Sequence, residues 1–461
     1  MLKLLRTFLK KNKLLLLIFL LSTSFFLYQR IFGGVHWDFA LYASNARYMF
    51  SDGFYFDWWV PPLTPFLLGV FSILTLSLAE YAYIIFVSAL FLFSCLKFSE
   101  TFKIDKLFFY AAFVNYYVLY YGLRNGTELI SLSLTMLFFA YIFMKDEKRS
   151  SFFISLSFLA RYSNIFLLPF ILLNRNLKKI ALSALIFLMV LSPWLLFNYL
   201  QTGNPFTSIG DYYVLVKLQS SYYSNESLQS IGMIIIIASI SFFAIFRNRL
   251  RKIINLKDFS MILLLLLVII TFLNTPFRNA RYLFLLTLPL VYLFVKIVPK
   301  HKKVLYAILA FNLITTIFII PDFSYNEDAQ FYVDIKEECT MMSNAWVYFD
   351  YHGIPTEPYP FREFVNDSIN QGYRIILYKW ITEPDYNKNE TFLAQFPMIE
   401  NNTNYVILGN REICKEYYTL SNTFKDRKNE YLLKAHNRTI QEELGCYEND
   451  VSKALCYILG I

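Results

Sequence analysis

The chain has 461 residues, 56% of them hydrophobic, 19% aromatic and only 17% charged, with a formal net charge of +9. Ordinary globular domains carry nearer a quarter charged residues, so the composition argues against a soluble enzyme and for a surface that faces lipid. The cations gather in short loops between apolar runs, so the positive charge calls for no nucleic-acid partner.

Apolar runs recur from Leu14 to Ile320. Each is long enough, at about 16 to 23 residues, to cross a hydrocarbon core of about 30 Å as a helix. Lipid offers no partner to a backbone N–H or C=O, which leaves helices or closed barrels, and runs without two-residue alternation favour helices. The first run, 14–32, follows a basic start; its length and the lack of a small-residue cleavage site before Gly33 predict an uncleaved helix. In the loop that follows, 33–62, Asp38, Tyr42, Ala46 and Met49 fall at helical spacing, which puts Asp38 and Tyr42 on one face of a short helix against the membrane. A carboxylate held there is a candidate general base. On spacing alone, an N-cap or first-turn acid is the commoner role for such an Asp.

Further runs follow at 63–79, 81–97, 106–121, 127–144, 151–173, 178–200, 230–246, 259–274, 281–298 and 303–320. Basic loops at 145–149, 174–179, 247–257 and 300–303 should face the cytoplasm. That places 201–229, 275–280 and everything after Ile320 on the outer face. Lys97, Lys103 and Lys106 also belong inside, as do both ends of 151–173. The run 151–173 is therefore expected as a hairpin turning at 161–164, and part of 63–97 as a segment that does not fully cross.

From about Asp322 the chain becomes mixed, charged and rich in Tyr and Asn. Strand-like runs at Trp346–Phe349, Arg374–Tyr378 and Tyr405–Leu408, separated by turn and helix signals, suggest a small α/β domain. Glycosylation triplets at Asn366, Asn389, Asn401 and Asn437, with Asn225 in the preceding outer loop, agree weakly with an exterior location. Cys339, Cys414, Cys446 and Cys456 all lie in this tail and allow three pairings. The architecture expected is an all-α polytopic bundle of about eleven helices over 1–321. Its exterior first loop is 33–62, and an exterior soluble α/β domain follows at 322–461, the whole anchored in the cell membrane.

Arg124, Arg161, Arg278 and Arg281 interrupt or border apolar runs, where a guanidinium is costly and faces a cavity or polar partner. Arg suits phosphate oxygens through paired hydrogen bonds, while snorkelling to the interface is the plainer role. The four histidines, His36, His301, His352 and His436, are scattered, and no phosphate-binding glycine loop is present.

Four stretches keep a recognisable order. Asp38 and Tyr42 after the first helix lead to Gly53 and Pro61-Pro62-Leu63 opening the next; Tyr121-Gly-Leu-Arg-Asn-Gly-Thr-Glu128 follows. Then come Pro193-Trp194, Asn198 and Gly203-Asn-Pro205, and finally Arg278-Asn-Ala-Arg-Tyr282 with Pro289. Together they resemble the GT-C-type membrane glycosyltransferases that use polyprenyl-phosphate sugars, such as protein O-mannosyltransferases and aminoarabinose transferases. The resemblance spans about residues 10–300. It implies transfer of a sugar from a polyprenyl- or dolichyl-phosphate donor to a lipid, glycan or protein acceptor at the outer face, with inversion. Asp38 would be the catalytic base, and Tyr42, Glu128, Arg161, Arg278, Arg281 and Tyr282 would bind substrate. Many members carry Asp-Glu where this chain has Asp38-Phe39, so a divalent cation would need further acids, with Asp52 and Asp57 at hand. A transporter or flippase of lipid-linked glycans is the alternative, but the chain lacks the internal repeats such proteins show.

Overall fold

The structure, a computed structural model, describes residues 12–51, 53, 56–73, 75–219, 255–274, 280–298, 301–320, 339–381, 384–415, 446 and 450–459. The expected segment 230–246 and residues Asp52, Arg278, Asn225 and Asn437 lie outside them.

The helices are α1 (Lys13–Phe32), α2 (Trp37–Phe50), α3 (Leu63–Phe71), α4 (Leu76–Phe102), α5 (Lys106–Phe113), α6 (Tyr116–Tyr121), α7 (Glu128–Phe143) and α8 (Glu147–Ala160). A 3-10 segment, Tyr162–Asn174, leads to α9 (Leu177–Thr202), α10 (Thr207–Gln219) and α11 (Leu256–Asn274). A second one, Ala280–Leu286, leads to α12 (Thr287–Ile297) and α13 (Lys302–Ile319). Among the described residues, four helices are long and apolar enough to cross a membrane: Lys13–Phe32, Leu78–Phe102, Leu177–Thr202 and Leu256–Leu273.

The sequence segments are redrawn in three places. The runs 63–79 and 81–97 become the nine-residue α3 and the single long α4, so α3 is too short to cross. The run 106–121 splits at Asn115, whose side chain caps the N–H groups of Tyr117 and Val118 and starts a new helix. The run 151–173 breaks at Arg161, which is extended, and returns as a 3-10 segment. Lys179, beyond that segment, pairs with Glu147 at the start of α8, so the chain goes out and comes back. This is the hairpin expected from the basic loops. Asn164 fastens the turn by donating to the carbonyl and hydroxyl of Ser157 and to Ser131 of α7. Small hydroxyl residues on α7 and α8 let the two backbones approach, and α7 is buried from Glu128 to Ile142.

One end of the bundle collects the basic loops. Lys257 donates to the Thr101 carbonyl and lies over the rings of Phe102 and Phe143, bringing 101–106 and 145–149 to the same end as α11's start. Glu128, the end of α8 and the end of α1 lie at the opposite end.

There the tail packs. Strands β1 (Met341–Ser343), β2 (Thr356–Pro358), β3 (Arg374–Tyr378), β4 (Met398–Asn401) and β5 (Tyr405–Leu408) form one sheet in the order β2-β1-β3-β5-β4. The first three strands are parallel, and β5 and β4 run antiparallel to their neighbours. Alternate residues of β3 separate its faces: Ile376 and Tyr378 join the core of the bundle, Ile375 and Leu377 a second core. The strand expected at Trp346–Phe349 is instead helix α14 (Trp346–Tyr351). All of Trp346 to Phe349 are buried, and a short run apolar on every side does not distinguish strand from helix. The cysteines pair as Cys339–Cys414 and Cys446–Cys456. The glycosylation-triplet residues Asn366, Asn389 and Asn401 are exposed.

Candidate active site

Asp38 is the second residue of α2, in its first turn, but it does not cap the helix: His36 Nδ1 accepts the Asp38 N–H at 3.3 Å instead. The Asp38 carboxylate is thereby left for tertiary partners. Arg281 forms an ion pair with it, and Asn125 Nδ2 donates to the same oxygen at 3.0 Å. Asn125 also stands 3.5 Å from His36 Nδ1, linking the two residues. Burial, together with the charges of Arg124 and Arg281, pushes the His36 imidazole down to about 3, so it stays neutral at any working pH.

The loop that supplies Asn125 passes very close to α2. A Cβ at Gly126, whose φ is +97°, would stand 3.0 Å from the Tyr42 ring and 3.2 Å from Phe39. Glycine is needed there for both its backbone conformation and its lack of bulk. Two residues on, Glu128 opens α7 and pairs with Arg161 at 3.1 Å, their side chains 2% and 13% exposed. Arg161 is available because α8 ends just before it.

Asp38, Tyr42, Glu128, Arg161, Arg281 and Tyr282 line a single cleft. Six of the residues singled out from sequence are thus brought together from α2, α7, the α8 hairpin and the second 3-10 segment. Both guanidiniums lie over Tyr282, at 5.5 Å for Arg281 and 6.0 Å for Arg161. Burial raises the Tyr42 hydroxyl, with the Glu128 charge adding to it, and burial raises Tyr212 to about 12, so both remain hydrogen-bond donors. Asp57 is not in the cleft; its backbone is held by the Asn45 side chain through two 2.9 Å bonds.

Sequence reasoning missed Asn125, Trp59, Tyr162 and Tyr212, of which the last three also line the cleft. Asn125 stood inside a stretch already noted for Glu128. The Pro-Trp and Asn elements of α9 act on the cleft indirectly: Trp194 Nε1 donates to the Tyr162 hydroxyl at 2.9 Å, and Asn198 accepts from Ser208, securing the start of α10 and so Tyr212.

The described residues give no support to a bound divalent cation. Asp38 faces Arg281 and Glu128 faces Arg161, so each acid of the cleft already meets a guanidinium. Among the described residues no group of three or more His, Cys, Asp or Glu is placed to hold a metal.

The fold is thus a helical bundle in which the loop helix α2 presents Asp38 to Arg281, with a small sheet domain at the same end. Two solved structures share this fold, both of ArnT from Cupriavidus metallidurans. The apo form aligns with a TM-score of 0.63 at 10% identity, covering 87% of this chain and 98% of ArnT. The form bound to undecaprenyl phosphate aligns with a TM-score of 0.58 at 11% identity, covering 86% and 98%. No family model matches the chain, and no curated protein matches it.

Proposed function

We propose that the protein is a membrane glycosyltransferase that moves a sugar from a polyprenyl- or dolichyl-phosphate donor to a hydroxyl-bearing lipid, glycan or protein at the outer membrane face. The observation that carries this reading is the convergence of Asp38, Tyr42, Glu128, Arg161, Arg281 and Tyr282 on one cleft. It occurs in a fold whose ArnT example holds undecaprenyl phosphate. The outward placement is supported by the basic loops, which collect at the end of the bundle away from the cleft. The two disulfides of the tail agree with an oxidising exterior.

The donor phosphate lies against Arg281 and Arg161, with the sugar among the cleft's tyrosines. In the resting site Arg281 is engaged by Asp38. Arg281 gives Asp38 a donor on Nη1, and when the donor phosphate takes that N–H the carboxylate is uncovered. Asp38 then takes the proton of the acceptor hydroxyl. The acceptor oxygen bonds to the anomeric carbon from the face opposite the phosphate, the anomeric C–O bond breaks, and its electron pair leaves on the lipid phosphate. The configuration inverts, and the arginines stabilise charge that grows as the bond breaks. Arg281 and Arg161, which both line the cleft, are the arginines assigned to the phosphate; Arg278, the other member of the pair expected from sequence, lies outside the described residues.

The experiment supplies the full chain, in lipid nanodiscs with native membrane extract as acceptor, with radiolabelled polyprenyl-phosphate sugars one at a time. Label should pass to a lipid, glycan or protein fraction for one sugar. Failure of every sugar to transfer and of polyprenyl phosphate to bind would overturn the proposal. Deleting the gene and finding which sugar leaves the cell's lipid or glycoprotein pool identifies the substrate.

A further inference from the structure

The two carboxylate oxygens of Asp38 are not equivalent. Arg281 Nη1 and Asn125 Nδ2 both donate to Oδ2, the second at 3.0 Å, whereas among the described residues nothing bonds to Oδ1. The helix makes no claim on either oxygen, because His36 caps α2 in their place. Oδ1 is thus an unengaged acceptor on a residue that lines the cleft.

Asn125 is held where it can keep that arrangement. It is buried, and an ionised carboxylate only accepts, so the amide must turn its N–H end toward Asp38. His36 Nδ1, 3.5 Å from Nδ2, is a second acceptor on the same side. The backbone around Asn125 is tied down without help from Asp38. The Gly126 carbonyl accepts from the Tyr83 hydroxyl of α4, which meets the Thr64 hydroxyl of α3 at 3.0 Å. The Leu129 N–H donates to the Gly122 carbonyl at 2.9 Å and closes the loop.

We propose that Asn125 is a positioning residue: it holds Oδ2 and leaves Oδ1 as the oxygen that takes the acceptor's proton. This role rests on the transferase reading. When the donor phosphate takes Arg281 Nη1, Asn125 Nδ2 remains on Oδ2. A carboxylate held by one oxygen is restrained from turning about its Cβ–Cγ bond, so Oδ1 keeps its direction. The acceptor hydroxyl gives its proton to Oδ1 as its oxygen bonds to the anomeric carbon, and the electron pair of the breaking C–O bond leaves on the lipid phosphate. Asn125 does not line the cleft and acts through Asp38.

The test is a double-mutant cycle in kcat at equal levels of folded protein. It uses the full chain in nanodiscs, the radiolabelled polyprenyl-phosphate sugar that the wild type transfers, and native membrane extract as acceptor. Asn125→Ala removes the donor, and Asn125→Leu removes it while filling its space. Each should lower kcat roughly ten- to a hundredfold, the scale of a misplaced reacting group. Affinity for polyprenyl phosphate should stay within about twofold, because the phosphate is held by Arg281 and Arg161. In Asp38→Asn the base is already gone, so adding Asn125→Ala should cost nothing more. A residue that only supports the loop would lower both backgrounds by the same factor, and that result would overturn the proposal. So would wild-type kcat in both Asn125→Ala and Asn125→Leu. Failure of the transferase reading looks different: the wild type itself would transfer no sugar and bind no polyprenyl phosphate, and the role of Asn125 would fall with it.

Discussion

Glu128→Gln removes the charge that Arg161 meets at 3.1 Å, in a place where the acid is 2% and the arginine 13% exposed. Removing one partner of a buried pair costs about 3–5 kcal/mol, because the charge left behind has neither water nor counter-ion. Gln keeps the shape and one acceptor oxygen, so the low end applies, about 3 kcal/mol or roughly a 150-fold shift in the folded-to-unfolded ratio. Arg161→Gln should cost a similar amount for the converse reason. The double variant leaves two amides that can hydrogen-bond to each other and no stranded charge. Its cost should therefore fall below the sum of the singles by at least about 1.5 kcal/mol. Unfolding of the full chain by sodium dodecyl sulfate in bicelles, followed by tryptophan fluorescence, measures all four corners of the cycle. Single variants within about 0.5 kcal/mol of wild type, with an additive double, would refute the claim that this is a desolvated pair.

Arg281→Lys keeps the charge but loses the planar fork, so affinity for polyprenyl phosphate should fall while expression and insertion hold; unchanged affinity would move the phosphate elsewhere. Burial raises the Asp350 carboxyl to about 6, with the Ser44 hydroxyl and Arg47 guanidinium partly offsetting it. The folded chain therefore keeps that proton to higher pH than the unfolded chain. The stability this group contributes is full below its ordinary value of 3.8 and is lost as pH rises through about 6. Asp350→Asn should accordingly stabilise the chain by up to about 3 kcal/mol at pH 7.5 and by almost nothing near pH 3.5, and equal effects at both would contradict the burial argument. Protease added to intact cells should remove the tail, and cleavage only after lysis would reverse the topology.

The membrane character was legible because a continuous apolar run has only one stable use, and the hairpin at 161–164 was legible because both its ends are basic. Helix limits were less so: Asn115 and Arg161 interrupt helices through caps and backbone turns that hydropathy does not register. Trp346–Tyr351 was misread because both its faces are covered, by the sheet on one side and by Trp37, whose ring stands 6.0 Å from Trp346 and 5.5 Å from Tyr348, on the other. At the site, Asp38 and Tyr42 could be placed together by helical spacing alone. Asn125 and Tyr212 could not, because each reaches the cleft region through a loop whose course depends on Gly126 or on the Asn198–Ser208 bond. The partners Glu128 and Arg161, which lie 33 positions apart, become neighbours only when the hairpin folds back on α7.

Tail and site are joined physically. Arg47 of α2 donates to the carbonyls of Asp350 and Tyr351 at 3.1 and 3.2 Å, so the helix that carries Asp38 is anchored to the sheet domain at its far end.

Asp38 carries the central step of the proposed transfer. Asp38→Asn nearly preserves the side chain's shape and can still accept from Asn125, but it cannot take a proton at neutral pH. Because Arg281 loses its anionic partner, the comparison is made at equal levels of folded protein, in membranes supplied with the lipid-linked sugar. Transfer should fall by roughly 10²- to 10⁴-fold, the usual loss when a general base is removed, while binding of polyprenyl phosphate persists. Transfer at the wild-type rate by Asp38→Asn would contradict the proposed mechanism.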